Sequence, residues 1–177
     1  VLGMAGAAFC AAGAGAVGLN LEDFVDGELV DLSLQVAKIR AVRNIGNRLG
    51  VHVVINARTD FYLENLGEDH RRFQLAVERL SVYRAAGADC LFIPGVRDED
   101  TIARFVRTLG FPVNILATTG SPAVDRLQEL GVARVSVGSG PMRATMALMK
   151  RIAEEIRDHG TYSQMLEGTI PYADANR

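Results

Sequence analysis

The amino-acid sequence predicts an α/β fold built on a parallel sheet, and three observations carry that reading. Five short runs, nearly continuous in β-branched and other apolar residues, read as strands buried on both faces. Stretches with apolar residues three or four apart lie between them and read as helices. The two kinds of segment alternate without a break, which calls for parallel strands joined by right-handed crossovers. Two architectures satisfy that order, a doubly wound open sheet and a (β/α)8 barrel. Five strands are too few to close a barrel, which needs about eight strands and roughly 250 residues.

An Ala- and Gly-rich helical segment opens the chain and leads into a first strand at 16–21 (AVGLNL). Leu32, Val36, Ile39, Val42, Ile45 and Leu49 then line one face of a helix, and the second strand follows at 51–57 (VHVVINA). Phe73, Val77 and Leu80 mark the next helix, before a third strand at 89–94 (DCLFIP). Ile102, Phe105 and Leu109 precede the fourth, at 112–117 (PVNILA). Ser121 and Pro122 read as a cap and a first-turn proline, with Val124, Leu127 and Leu130 on one face and Gly131 as the stop. The fifth strand is at 133–137 (ARVSV), and Met142, Met146, Met149, Ile152 and Ile156 stripe a last long helix whose apolar face suits packing. Gly50, Gly87 and Gly110 each stand where a helix should end.

Composition excludes several classes. With 177 residues, 49% hydrophobic and 23% charged, the chain reads as one globular domain over 1–177, neither disordered, collagen-like nor a disulfide scaffold. Its 19 Lys and Arg against 21 Asp and Glu give a net charge of −2, so no basic excess is present for a nucleic-acid partner. No apolar run is long enough to span a membrane, and the N-terminal segment lacks the positive region of a signal peptide. Cys10 and Cys90 are far apart and read as free, largely buried thiols of a cytoplasmic protein. Position 1 is Val, which suggests a processed chain or the C-terminal part of a longer one.

Either architecture collects its chemistry at the C-terminal ends of the strands. The first strand ends in Asn20-Leu21-Glu22-Asp23 and the second in Asn56-Ala57-Arg58-Thr59-Asp60. Two carboxylates directly after a buried strand need a partner, either a divalent cation or a fixed arginine, and Arg58 on the neighbouring strand is placed to serve. Glu22 and Asp23 are expected to hold its guanidinium in one orientation. The plainer alternative is a helix cap with a structural ion pair. Thr118 to Ser121 and Gly138 to Gly140 end the fourth and fifth strands, where backbone N–H groups at helix starts bind anions in many barrels. Ordinary glycine-containing turns would read the same way. His52 begins a strand at the opposite end, while His70 and His159 lie in helices, so a histidine triad or zinc site is not expected. Cys90 reads as core. No GxGxxG follows a strand and no Walker A lysine is present.

The runs AGAGAVGLNLED (12–23), INARTD (55–60), AGADCLFIP (86–94) and GVARVSVG (131–138) together resemble the isocitrate lyase/phosphoenolpyruvate mutase superfamily. The resemblance covers essentially the whole chain in the right order, and the E-D and A-R-T-D pair is its most specific part. It implies a (β/α)8 TIM-type barrel that binds Mg²⁺ and a small α-keto or α-hydroxy carboxylic acid. Members make or break a C–C or P–C bond beside a carboxylate through an enolate. Glu22 would hold the metal, often through water, and Arg58 would grip the carboxylate and stabilise the enolate oxygen. The segment LATTGSP resembles the family's L-A-Y-N-C-S-P and would bring Thr119 and Ser121 to the substrate carboxylate, with Gly138 as a further substrate-binding position.

Departures from the family pattern shape the expectation. The N-terminal third, with its S-G or T-S loop and D-x-D or D-x-E-x-G-Y-G metal motif, does not appear, so about five βα units are expected, from the C-terminal part of a barrel. K-K-C-G-H does not follow Glu22-Asp23; Phe24 to Glu28 stand there instead, which argues against isocitrate lyase itself. The lyases' later glutamate is replaced near Pro94. Unpaired sheet edges, and a last helix suited to packing on a neighbouring barrel, predict a homo-oligomer, dimer or tetramer. Two rival readings are a non-catalytic barrel remnant serving as a binding or assembly module, and a phosphate-binding barrel of another lineage.

Overall fold

The computed structural model describes residues 2–175. Helix α1 (Leu2–Gly13) leads into strand β1 (Gly18–Leu21), and a two-stranded hairpin, β2 (Phe24–Val25) and β3 (Glu28–Leu29), follows. Asp26 and Gly27 turn that hairpin, both with positive φ, as its tight primed turn requires. Helix α2 (Leu32–Leu49) starts at Asp31, whose carboxylate accepts the N–H groups of Ser33 and Leu34 at 2.9 and 3.1 Å. Then come β4 (Val54–Arg58), α3 (Asp69–Ala86), β5 (Cys90–Phe92), α4 (Glu99–Leu109), β6 (Val113–Leu116), α5 (Val124–Glu129) and β7 (Arg134–Ser136). Gly50, Gly87 and Gly110 close α2, α3 and α4 in the left-handed conformation, as expected.

Strand order decides the architecture. The five long-range strands pair in parallel in the order β1-β4-β5-β6-β7, so each new strand adds to the same side. A doubly wound sheet must reverse direction at a switch point, whereas a barrel winds one way only. One face of the sheet meets the helices through Ile55, Ala57, Leu91, Val113 and Ile115, packed against Ile39, Val42, Leu80, Ile102 and Phe105. The other face carries polar pairs beside Cys90 and Phe92 of β5: Asn20 stands in register with Asn56, and Asn56 donates to it at 2.7 Å. Asn114 and Ser136 exchange hydrogen bonds at 2.9 and 3.2 Å farther round.

At the N-terminal ends of the strands Asp89 forms a clasp. It accepts the Ile55 N–H at 2.7 Å, Arg43 at 2.5 Å and His52 Nε2 at 2.9 Å. Burial pushes the Asp89 carboxyl up, but these hydrogen bonds outweigh it and hold the group below its ordinary value. His52 therefore belongs to the loop before β4 rather than to the strand, because pairing with the first strand begins only at Val54, whose N–H donates to Val17. Two further expectations change. Ser121 does not cap α5: its hydroxyl bonds to Thr118 and Leu116 within the loop, so the helix starts at Val124, which is exposed. Cys90 is buried as expected, but Cys10 is exposed. Among the described α1 residues Ala12 packs on the core, and two helical residues turn the chain by roughly 200°, which sends Cys10 outward.

Residues up to Ser136 form one compact unit and those from Val137 a second. The second holds α6 (Gly140–His159), α7 (Ser163–Leu166) and α8 (Tyr172–Ala175). Glu155 accepts the Ser163 and Gln164 N–H groups and the Thr161 hydroxyl, which fixes α7 on the end of α6.

Among the strand-end loops, the one after β5 approaches most closely. A Cβ on Gly95 would lie 2.7 Å from the Leu63 nitrogen and the Tyr62 carbonyl carbon, and Gly95 has φ +94. Only glycine fits where the loops after β4 and β5 interlock. Gly95→Ala is expected to destabilise the protein by about 2–4 kcal/mol in denaturant unfolding, combining a strained φ with a backbone clash. A loss under about 0.5 kcal/mol, the scale of an ordinary surface substitution, would contradict this packing.

Candidate active site

Arg58 is the last residue of β4, and its guanidinium is held on two sides. Its Nε and Nη2 donate to the two oxygens of Asp60 at 2.6 and 3.1 Å, and its Nη1 donates to Glu22 at 2.8 Å from the end of β1. The Phe92 ring lies 5.9 Å below its Cζ. Of the five N–H groups a guanidinium carries, three are taken by these bonds and two stay uncommitted among the described residues. The Asp60 side chain is 2% exposed, against 18% for Arg58 and 49% for Glu22, so the cluster opens on the Glu22 side. Burial pushes the Asp60 carboxyl above its ordinary value, with Arg58 opposing that rise.

Glu22 meets Arg58 as the sequence suggested, but Asp23 does not. It turns away from Arg58 and is fully buried. Its Oδ1 accepts the Asp60 N–H at 3.0 Å, while its Oδ2 accepts Arg79 Nε and the Tyr83 hydroxyl, each at 2.6 Å. Two neighbouring carboxylates leaving an extended segment point to opposite sides, so only one can face the guanidinium. Burial, reinforced by the adjacent Asp23 carboxylate, pushes the Tyr83 hydroxyl far up, so it remains a donor. Arg79 also donates to the Val30 carbonyl, and Gln35 on α2 donates to the Glu22 carbonyl at 3.0 Å. The sequence marks Asp60 only as a strand-end residue and gives no sign of Arg79, Tyr83 or Gln35.

The other expected site residues lie elsewhere. Thr119 and Ser121 sit after β6, with β5 between that strand and β4. The Ser121 hydroxyl accepts the Thr118 N–H at 3.1 Å and donates to the Leu116 carbonyl at 3.2 Å, so it shapes the loop. The Thr119 side chain is exposed and has no hydrogen-bond partner among the described residues. Gly138 belongs to the second unit, where it takes φ +52 shortly before α6. A groove of about 810 Å³ along α2, past Val36 and Arg40, holds none of these residues and stands apart from the strand ends.

The fit of Mg²⁺ follows from the oxygen count. Asp60 and Asp23 have both oxygens engaged, and Glu22 has one engaged by Arg58. No group of three His, Cys, Asp or Glu able to hold a metal occurs among the described residues. One uncommitted carboxylate oxygen does not furnish the octahedral oxygen set of Mg²⁺, so these residues alone do not fit the ion.

Singly wound βα units with a clamped guanidinium at their strand C-termini place the chain in the class of TIM-type barrel proteins whose chemistry sits on that face. The family model described as phosphoenolpyruvate phosphomutase matches residues 5–157, and the chain belongs to that family, within the phosphoenolpyruvate mutase/isocitrate lyase superfamily. It is 32% identical to the phosphoenolpyruvate phosphomutase of Streptomyces hygroscopicus, over 84% of this chain and 50% of that protein. It is likewise 32% identical to the oxaloacetate decarboxylase of Chromohalobacter salexigens, over 82% of this chain and 51% of the relative. A solved structure from Burkholderia cenocepacia J2315, classed as a lyase/mutase, superposes with a TM-score of 0.87 at 34% identity, over 98% of this chain and 62% of that one. The chain thus spans about half the length of these curated relatives and represents about five βα units of the (β/α)8 barrel. No described helix is long and apolar enough to cross a membrane.

Calorimetric titration of Mg²⁺ into the 177-residue chain is expected to show no saturable micromolar site. A stoichiometric, tight isotherm would contradict the oxygen count.

Proposed function

We propose that this chain carries the substrate-gripping half of a lyase or mutase. The reaction makes or breaks a C–C or P–C bond in a small α-keto or α-hydroxy acid of the oxaloacetate, methylisocitrate or phosphonopyruvate kind. The observation that supports this is the Arg58 clamp. An enolate forming beside a carboxylate puts negative charge on two oxygens in one plane, and a planar guanidinium with two uncommitted N–H groups matches that pattern. Asp60 fixes the plane of the guanidinium before substrate arrives, so little reorganisation is left for the transition state.

Each residue then has a defined part. Arg58 binds the carboxylate and stabilises charge as it develops on the enolate oxygen. Asp60 sets its orientation from the buried side, and Glu22 holds Nη1 from the open side. Thr119 offers a hydroxyl on the same end of the sheet, and Ser121 shapes the turn that would present backbone N–H groups. The oxygen ligands these residues offer do not fit Mg²⁺ by themselves. The relatives named a phosphomutase and an oxaloacetate decarboxylase support the substrate class.

The same reading gives a homo-oligomer, dimer or tetramer. On α6, Met142, Met146 and Met149 are 56%, 61% and 63% exposed, an apolar stripe of the kind that a second copy would cover. Two free cysteines, Cys10 and Cys90, suit a reducing cytoplasm.

In the whole protein, Arg58→Lys is expected to lower kcat/KM for the best keto-acid substrate by on the order of a hundredfold, the scale of one lost electrostatic contact. Stability should change little, since a positive charge still faces Glu22 and Asp60. A purely structural arginine would give the reverse, a lower Tm with turnover intact, and unchanged kcat/KM would overturn the proposal.

A further inference from the structure

We propose that Asp23 is the positioning residue of the Arg58 guanidinium, acting through the Asp60 backbone; this rests on reading Arg58 as the substrate-gripping group. The sheet's hydrogen-bond ladder next to β4 ends at Thr59, whose N–H donates to the Phe92 carbonyl at 3.0 Å. One residue later the chain leaves the sheet, and the Asp60 N–H finds its acceptor in Asp23 Oδ1 at 3.0 Å. The carboxylate that clamps Arg58 therefore hangs from a backbone fixed by Asp23 rather than by a neighbouring strand.

Asp23 is itself held from behind. Its Oδ2 receives Tyr83 and Arg79 from successive turns of α3. Its own carbonyl accepts the Val30 N–H at 2.7 Å, and Arg79 donates to the Val30 carbonyl, so the β2–β3 hairpin is tied into the same knot. The Glu22 side is anchored in parallel, through Gln35 and the Glu22 carbonyl. A bidentate clamp works only within about half an ångström of its productive geometry, and a buried carboxylate with its oxygens aimed in two directions meets that demand. A merely structural role for the cluster, pinning α3 to the strand ends, would leave the Arg58 guanidinium as ordered as before.

The test reads the order of Arg58 directly. In the whole protein labelled with ¹⁵N-arginine, the Arg58 Nε–H resonance is identified by its loss in Arg58→Lys, and its hydrogen exchange is measured in Asp23→Asn and Tyr83→Phe. The expected result is Nε–H exchange about tenfold faster or more in Asp23→Asn, and faster by a smaller factor in Tyr83→Phe. The amides of Ile55 and Leu91, central in the sheet, should keep their protection, and affinity for oxalate should fall in the same order. Tyr83→Phe keeps the ring and the fold and carries the test alone if Asp23→Asn does not fold. Unchanged Nε–H exchange in the folded variants overturns the proposal, as does acceleration only in step with Ile55 and Leu91. A wild-type protein that neither binds oxalate nor turns over a keto acid, yet loses Nε–H protection in the variants, supports the positioning and sinks the catalytic reading of Arg58.

Discussion

A fully buried carboxylate has to be satisfied at the point where β1 leaves the sheet, and much of the local architecture answers to that requirement. Removing one partner of a buried ion pair typically costs about 3–5 kcal/mol, because the charge left behind has lost its water. Asp23 meets the requirement with an arginine, a phenol and a backbone N–H, drawn from α3 and from the end of β4. Satisfying it ties two strands, a helix and a hairpin together just below the open edge of the sheet. The Arg58 clamp sits on top of that knot, and Asp60 belongs to both.

The winding of the sheet sets what lies beneath the site. Because β1, β4, β5, β6 and β7 follow one another around a single curve, one face meets the helices and the other turns inward. Large branched residues usually fill a barrel interior. Here Phe92 stands beside Arg58 and Cys90 beside Asn56, while Asn20–Asn56 on one side and Asn114–Ser136 on the other form two side-chain hydrogen-bonded pairs. The Asn56 side-chain oxygen Oδ1 is buried and has no partner among the described residues. The interior of this half-barrel thus offers the clamp a mixed floor, two polar pairs with Cys90 and Phe92 between them.

Much of the fold was legible because buried parallel strands leave contiguous apolar runs: four of the five runs hold a shorter strand, and the run at 51–57 overlaps one that extends to Arg58. Helix ends were legible through Gly50, Gly87 and Gly110. The meeting of Glu22 with Arg58 followed from their places at adjacent strand ends. What stayed hidden depends on contacts across long stretches of chain. Nothing local says which of Glu22 and Asp23 turns inward, and the partners that decide it, Arg79 and Tyr83, are 56 and 60 residues away. The β2–β3 hairpin did have a signal, the Asp26-Gly27 pair, but its strands are too short to show a periodicity. Ser121 misled because a serine before a proline reads equally well as a helix cap and as the hinge of a tight loop.

The proposed function requires the two uncommitted N–H groups of Arg58 to receive a planar carboxylate while Asp60 keeps hold of the other edge. A crystal structure of the whole protein with oxalate, a planar mimic of an enolate beside a carboxylate, tests it most directly. The expected structure has an oxalate carboxylate within hydrogen-bond distance of Arg58 Nη1 and Nη2, with both Asp60 contacts retained. Oxalate bound away from Arg58, or seated there with Asp60 displaced from the guanidinium, would contradict it.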